Sequence, residues 1–172
     1  MNHAAIINRL ERFPGTLAPL LMSLPDEDAR WKPAPEHWSI LEICGHLADE
    51  EREDFRPRLQ STLEDPGRAW PALDLEGIAQ RRGYNEKDLG VTVARFIAER
   101  AESMTWLRSL SSPDFSKAHE HPKFGPIRAG ELLASWSAHD ALHLRQIAKR
   151  LHGLAARDGS PYAVAYAGEW TA

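Results

Sequence analysis

The stretch from Glu131 to Leu151 reads E-L-L-A-S-W-S-A-H-D-A-L-H-L-R-Q-I-A-K-R-L. Its apolar residues recur at steps of three and four, the spacing of an amphipathic helix. At about 100° per residue, His139 and His143 lie within the apolar stripe beside Trp136, and the two imidazoles point the same way, one turn apart. Such a pair can supply two ligands to one metal ion. A hydrogen-bonded pair of core histidines stays open as the alternative, because a buried polar ring needs a partner.

Three further segments have helical periodicity, and turn residues separate them. Ser39 with Glu42 three positions later is a capping box, so a helix should begin directly after Ser39. Pro14-Gly15 predicts a kink or a break in the first helix, and Pro57 predicts a kink in the second. Gly153 is expected to end the last helix as its C′ residue. The predicted helices cover residues 3–24, about 40–63, about 89–111 and about 129–152.

The connections between these helices are predicted to be irregular. Residues 66–84 are polar and weakly periodic, which indicates a long crossover loop. Residues 112–126 are also expected to form a loop, and residues 154–172 an extended arm, since neither has helical spacing. We find no convincing strand alternation. The pattern therefore predicts an all-α four-helix bundle with a long crossover connection, as a single domain spanning residues 1–172.

Composition narrows the function classes. The chain has 172 residues, 21 Lys plus Arg against 25 Asp plus Glu and a formal charge of -4, so no electrostatic signal favours nucleic acid or an anionic membrane. No charged-then-apolar leader opens the sequence, and no run approaches the roughly 18 apolar residues of a membrane span. The single cysteine, Cys44, excludes an intrachain disulfide and is expected to be a small buried hydrophobe. We expect a cytoplasmic protein.

Two blocks of the sequence resemble the DinB-like superfamily, in the branch of YfiT-type proteins assigned as metal-dependent hydrolases. They are W-S-I-L-E-I-C-G-H-L-A-D-E-E at residues 38–51 and G-P-I-R-A-G-E-L-L-A-S-W-S-A-H-D-A-L-H-L-R-Q-I at residues 125–147. The order of the blocks is that of the family. The resemblance implies a four-helix bundle over nearly the whole chain.

The resemblance also implies that His46 joins His139 and His143 in binding one divalent metal, with zinc, nickel or iron as candidates. Periodicity alone places His46 at the edge of its helix, beside Glu50, where a solvated side chain is the ordinary reading. Three neutral imidazoles leave a coordination position open, which is typical of a catalytic site. The H-x-H of His119 and His121 is a second metal-binding spacing, but a Pro-bearing loop favours a surface role.

Two acidic residues near the histidines are candidates for a catalytic or supporting role. Glu50, four residues after His46, is a candidate general base or histidine partner. Asp140 lies in the apolar arc and could orient a ligand histidine or accept a hydrogen bond from a buried tryptophan or a backbone group. Surface or interhelix pairing would explain either residue equally. Trp136 is expected to be a pocket wall or a core residue.

Several functions are compatible with these features. Members of the resembled family with a known activity transfer low-molecular-weight thiols or isomerise substrates with their help, so a small-molecule thiol is the expected partner and S-transfer or hydrolysis the expected reaction. The alternative is a stress-associated bundle that binds a metal or small ligand without turnover, and a third reading is a core histidine network without metal. The family also implies a homodimer.

Overall fold

Four long helices dominate the structure, a computed structural model that describes residues 1–73, 77–168 and 170. The predicted all-α four-helix bundle is therefore confirmed. In chain order the helices are α1 (His3–Met22), α2 (Asp26–Arg30), α3 (Ile40–Asp49), α4 (Arg56–Glu64), α5 (Ile78–Arg81), α6 (Leu89–Ser109) and α7 (Ala129–Gly159). A π-helical segment (Glu50–Phe55) joins α3 and α4 into one long helix, which forms the bundle with α1, α6 and α7.

Side-chain caps fix where these helices begin. Asn2 accepts a hydrogen bond from the Ala5 amide at the start of α1. The capping box predicted at the start of α3 is confirmed, because Ser39 Oγ accepts from the Glu42 amide while Glu42 Oε2 accepts from the Ser39 amide. Each cap satisfies backbone N–H groups that have no partner within the helix, which stabilises the helix by about 1 kcal/mol.

The disturbance expected at Pro57 takes the form of the π-helical segment just before it. Proline lacks an N–H, and its ring clashes with the carbonyl four residues earlier in an α-helix. A wider turn separates the ring from that carbonyl, so the long helix continues without a break. The same wide turn directs the neighbouring carboxylates Glu50 and Glu51 into the protein, together with Phe55.

The core consists of two buried clusters. The first joins α1, α3 and α6 and includes Ile147 of α7, and the second joins α4, the first half of α7 and the end of α6, with Trp136 at its centre. On α7, His139 and His143 lie between Trp136 and Ile147, between the two clusters. The bundle therefore holds these histidines on packed helices rather than on a loop.

The structure differs from the predicted outline of two long helices. Helix α1 runs unbroken through Pro14-Gly15, so the two-helix alternative is wrong. Helix α7 continues past Gly153 to Gly159, and the prediction that it ends at Gly153 is wrong as well. A Cβ at Gly153 would lie 2.9 Å from the ring of Trp31. Close packing against this ring, rather than a helix end, accounts for this glycine.

The connections contain more regular structure than predicted. Residues 112–126 are not all loop, because an antiparallel hairpin of β1 (Ala118–His121) and β2 (Gly125–Arg128) forms there. In the crossover, α5 and a 3₁₀ turn at Tyr84–Glu86 interrupt the loop, and residues 74–76 lie outside the described part. The arm predicted for residues 154–172 begins as the end of α7 and includes a second 3₁₀ turn at Ala165–Ala167; residues 169, 171 and 172 of it are not described.

Helices long and apolar enough to cross a membrane are not found among the described residues.

Candidate metal centre

Helices α3 and α7 bring three histidines together. His46 comes from α3, and His139 and His143 come from one face of α7. The Nε2 atom of His139 lies 3.2 Å from Nε2 of His46 and 3.0 Å from Nε2 of His143. Two imidazole nitrogens at Zn–N distances of 2.0–2.1 Å in a tetrahedral site are about 3.3 Å apart. The three nitrogens thus have nearly the spacing that a single divalent ion requires.

All three imidazoles are in the neutral form that binds metal. Burial lowers the pKa of His46 to about 3 and that of His139 to about 2, and the neighbouring His143 lowers both further. Burial likewise lowers the pKa of His143, although Gln146 partly opposes the shift. A neutral imidazole keeps a lone pair on one nitrogen, so the cluster offers lone pairs near pH 7 without first losing protons.

The second ring nitrogen of His143 has a partner that fixes the tautomer. Its Nδ1 lies 2.9 Å from Oε1 of Gln146. An amide oxygen only accepts hydrogen bonds, so Nδ1 must donate and Nε2 carries the lone pair. Gln146 did not emerge from the sequence as a site residue. Its position three residues after His143, on the same helical face, is the signal that could have identified it.

A metal-free hydrogen-bond network explains this geometry poorly. Nε2 of His139 contacts two other imidazole nitrogens, yet a ring nitrogen has a single in-plane site for a proton or a lone pair. His143 has its proton on Nδ1, and Nδ1 of His46 is buried without a hydrogen-bond partner. Lone pairs facing one another at about 3 Å repel unless a cation lies between them. The donor set therefore fits a divalent metal better than a core network.

A buried ion network lies behind the histidines on α7. Asp140 accepts two hydrogen bonds of 2.8 Å from the guanidinium of Arg100, whose side chain is 2% exposed. Arg100 also lies 2.7 Å from Glu51, and Glu51 accepts from Nε1 of Trp136 at 2.6 Å. Asp140 thus pairs with an arginine, and its contact is not the histidine, tryptophan or backbone partner considered for it.

The family follows from a comparison with known proteins. A family model described as the DinB superfamily matches residues 9–147. The chain belongs to this superfamily. A protein of Oceanobacillus iheyensis named "putative metal-dependent hydrolase OB0782" is 25% identical over 142 residues, which are 82% of this chain and 81% of that protein.

A solved structure has the same fold as this DinB-superfamily chain. It is YfiT from Bacillus subtilis, described as a probable metal-dependent hydrolase with an unusual four-helix bundle topology. The two structures superpose with a TM-score of 0.77 at 19% identity, over 91% of this chain and 87% of that chain. At this level of identity the likeness shows the fold alone.

In the DinB-superfamily site, Glu50 is the carboxyl group nearest to the cluster among the contacts of the described residues. Its Oε1 lies 3.6 Å from Nδ1 of His46, beyond hydrogen-bond distance. Burial, and then the neighbouring Asp54, raise the pKa of Glu50 to about 9. Glu50 is therefore protonated near pH 7 and lacks the free carboxylate that a general base needs.

Aromatic rings shape the walls of the site. Trp38 packs on His46 with ring centroids 4.9 Å apart, and Phe55 packs on His139 at 5.1 Å. Trp136 stacks on the far side of Phe55 at 5.6 Å and is 1% exposed, so it supports the wall from the core. Cys44 is buried, and burial raises the pKa of its thiol to about 12, as expected for a small core residue.

The H-x-H histidines do not join this cluster. His119 and His121 lie on strand β1, where Nδ1 of His119 is 2.9 Å from the Pro66 carbonyl oxygen and its ring stacks on Trp70 at 4.3 Å. Nδ1 of His121 accepts hydrogen bonds from the backbone of the turn. Both histidines support the hairpin and the loop beside it.

Proposed function

We propose that this DinB-superfamily chain is a metal-dependent enzyme that activates a small nucleophile at the site of His46, His139 and His143. The convergence of three neutral Nε2 atoms at distances of 3.0 and 3.2 Å carries the proposal. Two further features support it. His139 and His143 are only half-buried, so the site has an open side, and the relatives' names refer to metal-dependent hydrolases.

The residues of this chain would hold the ion and keep one side of it closed. The three Nε2 atoms are the ligands, and Gln146 orients His143 through its Nδ1–H. Phe55 and Trp38 cover the rings of His139 and His46, so water can approach only from the open side. When bound, a divalent ion lowers the pKa of a water or thiol that it contacts, which yields a nucleophile near pH 7.

Hydrolysis is the reaction that the names of the relatives suggest. Imidazole nitrogens suit zinc, nickel and ferrous iron alike, so the donor set gives the charge of the ion but not its identity. The pair of Arg100 and Asp140 would keep α7 in register behind the site without touching the substrate.

Thiol S-transfer is a second candidate, and the state of Glu50 favours it. Activating water usually calls for a nearby base, and Glu50 is protonated near neutral pH. A thiol is a much stronger acid than water and ionises at a metal without such help. In this reaction the thiol sulfur forms a bond to an electrophilic carbon, the leaving group departs with the electron pair of its broken bond, and the thiol proton passes to solvent.

A paired activity assay tests the proposal. Protein loaded with zinc, nickel or ferrous iron is compared with chelated protein, using p-nitrophenyl acetate for hydrolysis and a thiol panel with 1-chloro-2,4-dinitrobenzene for S-transfer. We expect metal-dependent acceleration of one reaction, its loss in His143→Ala and its retention in His121→Ala, which removes a histidine outside the cluster. Metal binding without acceleration of either reaction would instead support a metal- or ligand-binding bundle without turnover.

A further inference from the structure

A basic cavity opens beside the histidine cluster. It has a volume of about 370 Å³, and His143 lies in its wall. Arg145, Lys149 and Arg150 of α7 also line it, and no acidic side chain does among the residues that the structure describes. Three cations without an acid give the cavity a positive potential and favour an anionic occupant.

Arg150 is the unusual member of this set because it is buried. Its side chain belongs to a residue that is only 4% exposed, and its Nε donates to the Trp38 carbonyl oxygen at 2.6 Å. No carboxylate within the described ranges forms an ion pair with it. Burial lowers the pKa of Arg150, and no acidic neighbour opposes that effect. Arg100 is equally buried but pairs with two carboxylates, Glu51 and Asp140.

A buried charge without a counter-ion is unfavourable unless something else compensates for it. The bond to Trp38 uses Nε alone, which leaves the two Nη groups of Arg150 without a protein partner among the described residues. Glu36 lines an adjoining recess with Arg150, but its side chain is 72% exposed and its ion contact is to His37 at 3.7 Å. A structural anchor for Trp38 would not need the free edge of the guanidinium.

The position of Arg150 relates this free edge to the reaction site. Arg150 follows His143 by seven residues, so it lies on the same face of α7, two turns and about 10 Å further along the axis. Gln146, the partner of His143, lies between them and lines the same cavity. A small molecule that extends from the open side of the histidine site along α7 would reach Arg150.

We propose that Arg150 binds a carboxylate group of the substrate while the reacting end of that substrate lies at His46, His139 and His143. This inference rests on the proposed function, because it takes the histidine cluster as the place of reaction. The two Nη groups present parallel N–H bonds that match the two oxygens of a carboxylate. Arg145 and Lys149 are exposed at the rim and would attract the anion by longer-range electrostatics.

A pair of thiols that differ only in charge tests this carboxylate site. Cobalt(II)-loaded protein is titrated with 6-mercaptohexanoate and with the neutral 6-mercaptohexanamide, and the visible spectrum of cobalt reports thiol binding. We expect the carboxylate to bind at least about tenfold more tightly than the amide, since hydrogen bonds to charged groups are the stronger class. Equal Kd values for the two thiols would overturn the proposal.

Variants separate binding from a structural role of Arg150. Arg150→Gln should remove the preference for the carboxylate, and Arg150→Lys should keep part of it because the charge is retained. Arg9→Gln, which removes an exposed arginine of α1, should leave the preference unchanged. The readout is the ratio of the two Kd values within each variant, so a general weakening of the fold does not change it. Equal loss of both affinities in Arg150→Gln would assign only the anchoring role to Arg150.

A second measurement does not depend on the metal. In chelated, ¹⁵N-labelled protein, the side-chain Nε–H signal of Arg150, identified by its absence in Arg150→Lys, should shift on addition of 6-mercaptohexanoate and not of the amide. No shift would contradict the carboxylate site even if metal binds normally. Failure of cobalt to bind would contradict the proposed function, and the Arg150 signal would still decide whether the carboxylate site exists.

Discussion

Replacing Arg100 with methionine should strongly destabilise the bundle. The change keeps a long apolar side chain but leaves the buried carboxylates of Glu51 and Asp140, and the Leu10 carbonyl oxygen 2.7 Å from Nη1, without their cation. Removing one member of a buried ion network costs about 3–5 kcal/mol, because uncompensated charge stays in the core. At a denaturant dependence of about 2 kcal/mol per molar urea, the unfolding midpoint should fall by about 2 M.

The control uses a second arginine on the same helix. Arg108 pairs with Glu11 at 2.5 Å, but both side chains are about half exposed, and an exposed pair contributes under about 1 kcal/mol. Urea unfolding at pH 7, followed by tryptophan fluorescence, should therefore place Arg108→Met close to the unmodified protein and Arg100→Met far below it. Midpoints that fall equally in the two variants would refute the assignment of Arg100 as the cation of a buried network.

Two further predictions concern stability. Gly153→Ala should lower the thermal midpoint because its Cβ would lie 2.9 Å from the ring of Trp31, whereas Gly15→Ala, with nothing within 4 Å, should raise stability by about 0.5–1 kcal/mol. Both shifts in the same direction would contradict the close packing at Gly153. Burial alone would raise the pKa of Asp49, but hydrogen bonds from Tyr84 and two arginines outweigh it and lower this pKa below 3.8. The stabilising effect of Asp49 is therefore complete above pH 3.8 and lost as the pH falls through the lower folded-state value, so the stability difference from Asp49→Asn should shrink on acidification; a difference independent of pH below 3.8 would contradict this.

The four long helices could be predicted because each combines apolar periodicity with a cap or breaker at its ends. The position of His46 could not. Every residue of α3 from Ile40 to Asp49 is buried, so this helix has no solvated face and its periodicity does not distinguish inside from outside. The resemblance to a family, rather than the helical wheel, indicated His46.

The features that periodicity missed arise from contacts distant in sequence. Gly153 has the residue type of a helix end, but its packing against Trp31 depends on the fold. The strands of the hairpin are four residues long, too short for an alternating pattern. The role of Arg100 depends on a carboxylate forty positions away. The homodimer, the cytoplasmic location and the low-molecular-weight thiol stay predictions.

The metal content of the native protein tests the central claim most directly. Protein purified without chelator should contain about one equivalent of a divalent transition metal by elemental analysis, because three neutral Nε2 atoms converge at its core. The content should fall close to zero in His46→Ala, His139→Ala and His143→Ala and stay unchanged in His121→Ala. Full metal content in His46→Ala, or no metal after reconstitution of the unmodified protein, would contradict the three-histidine site.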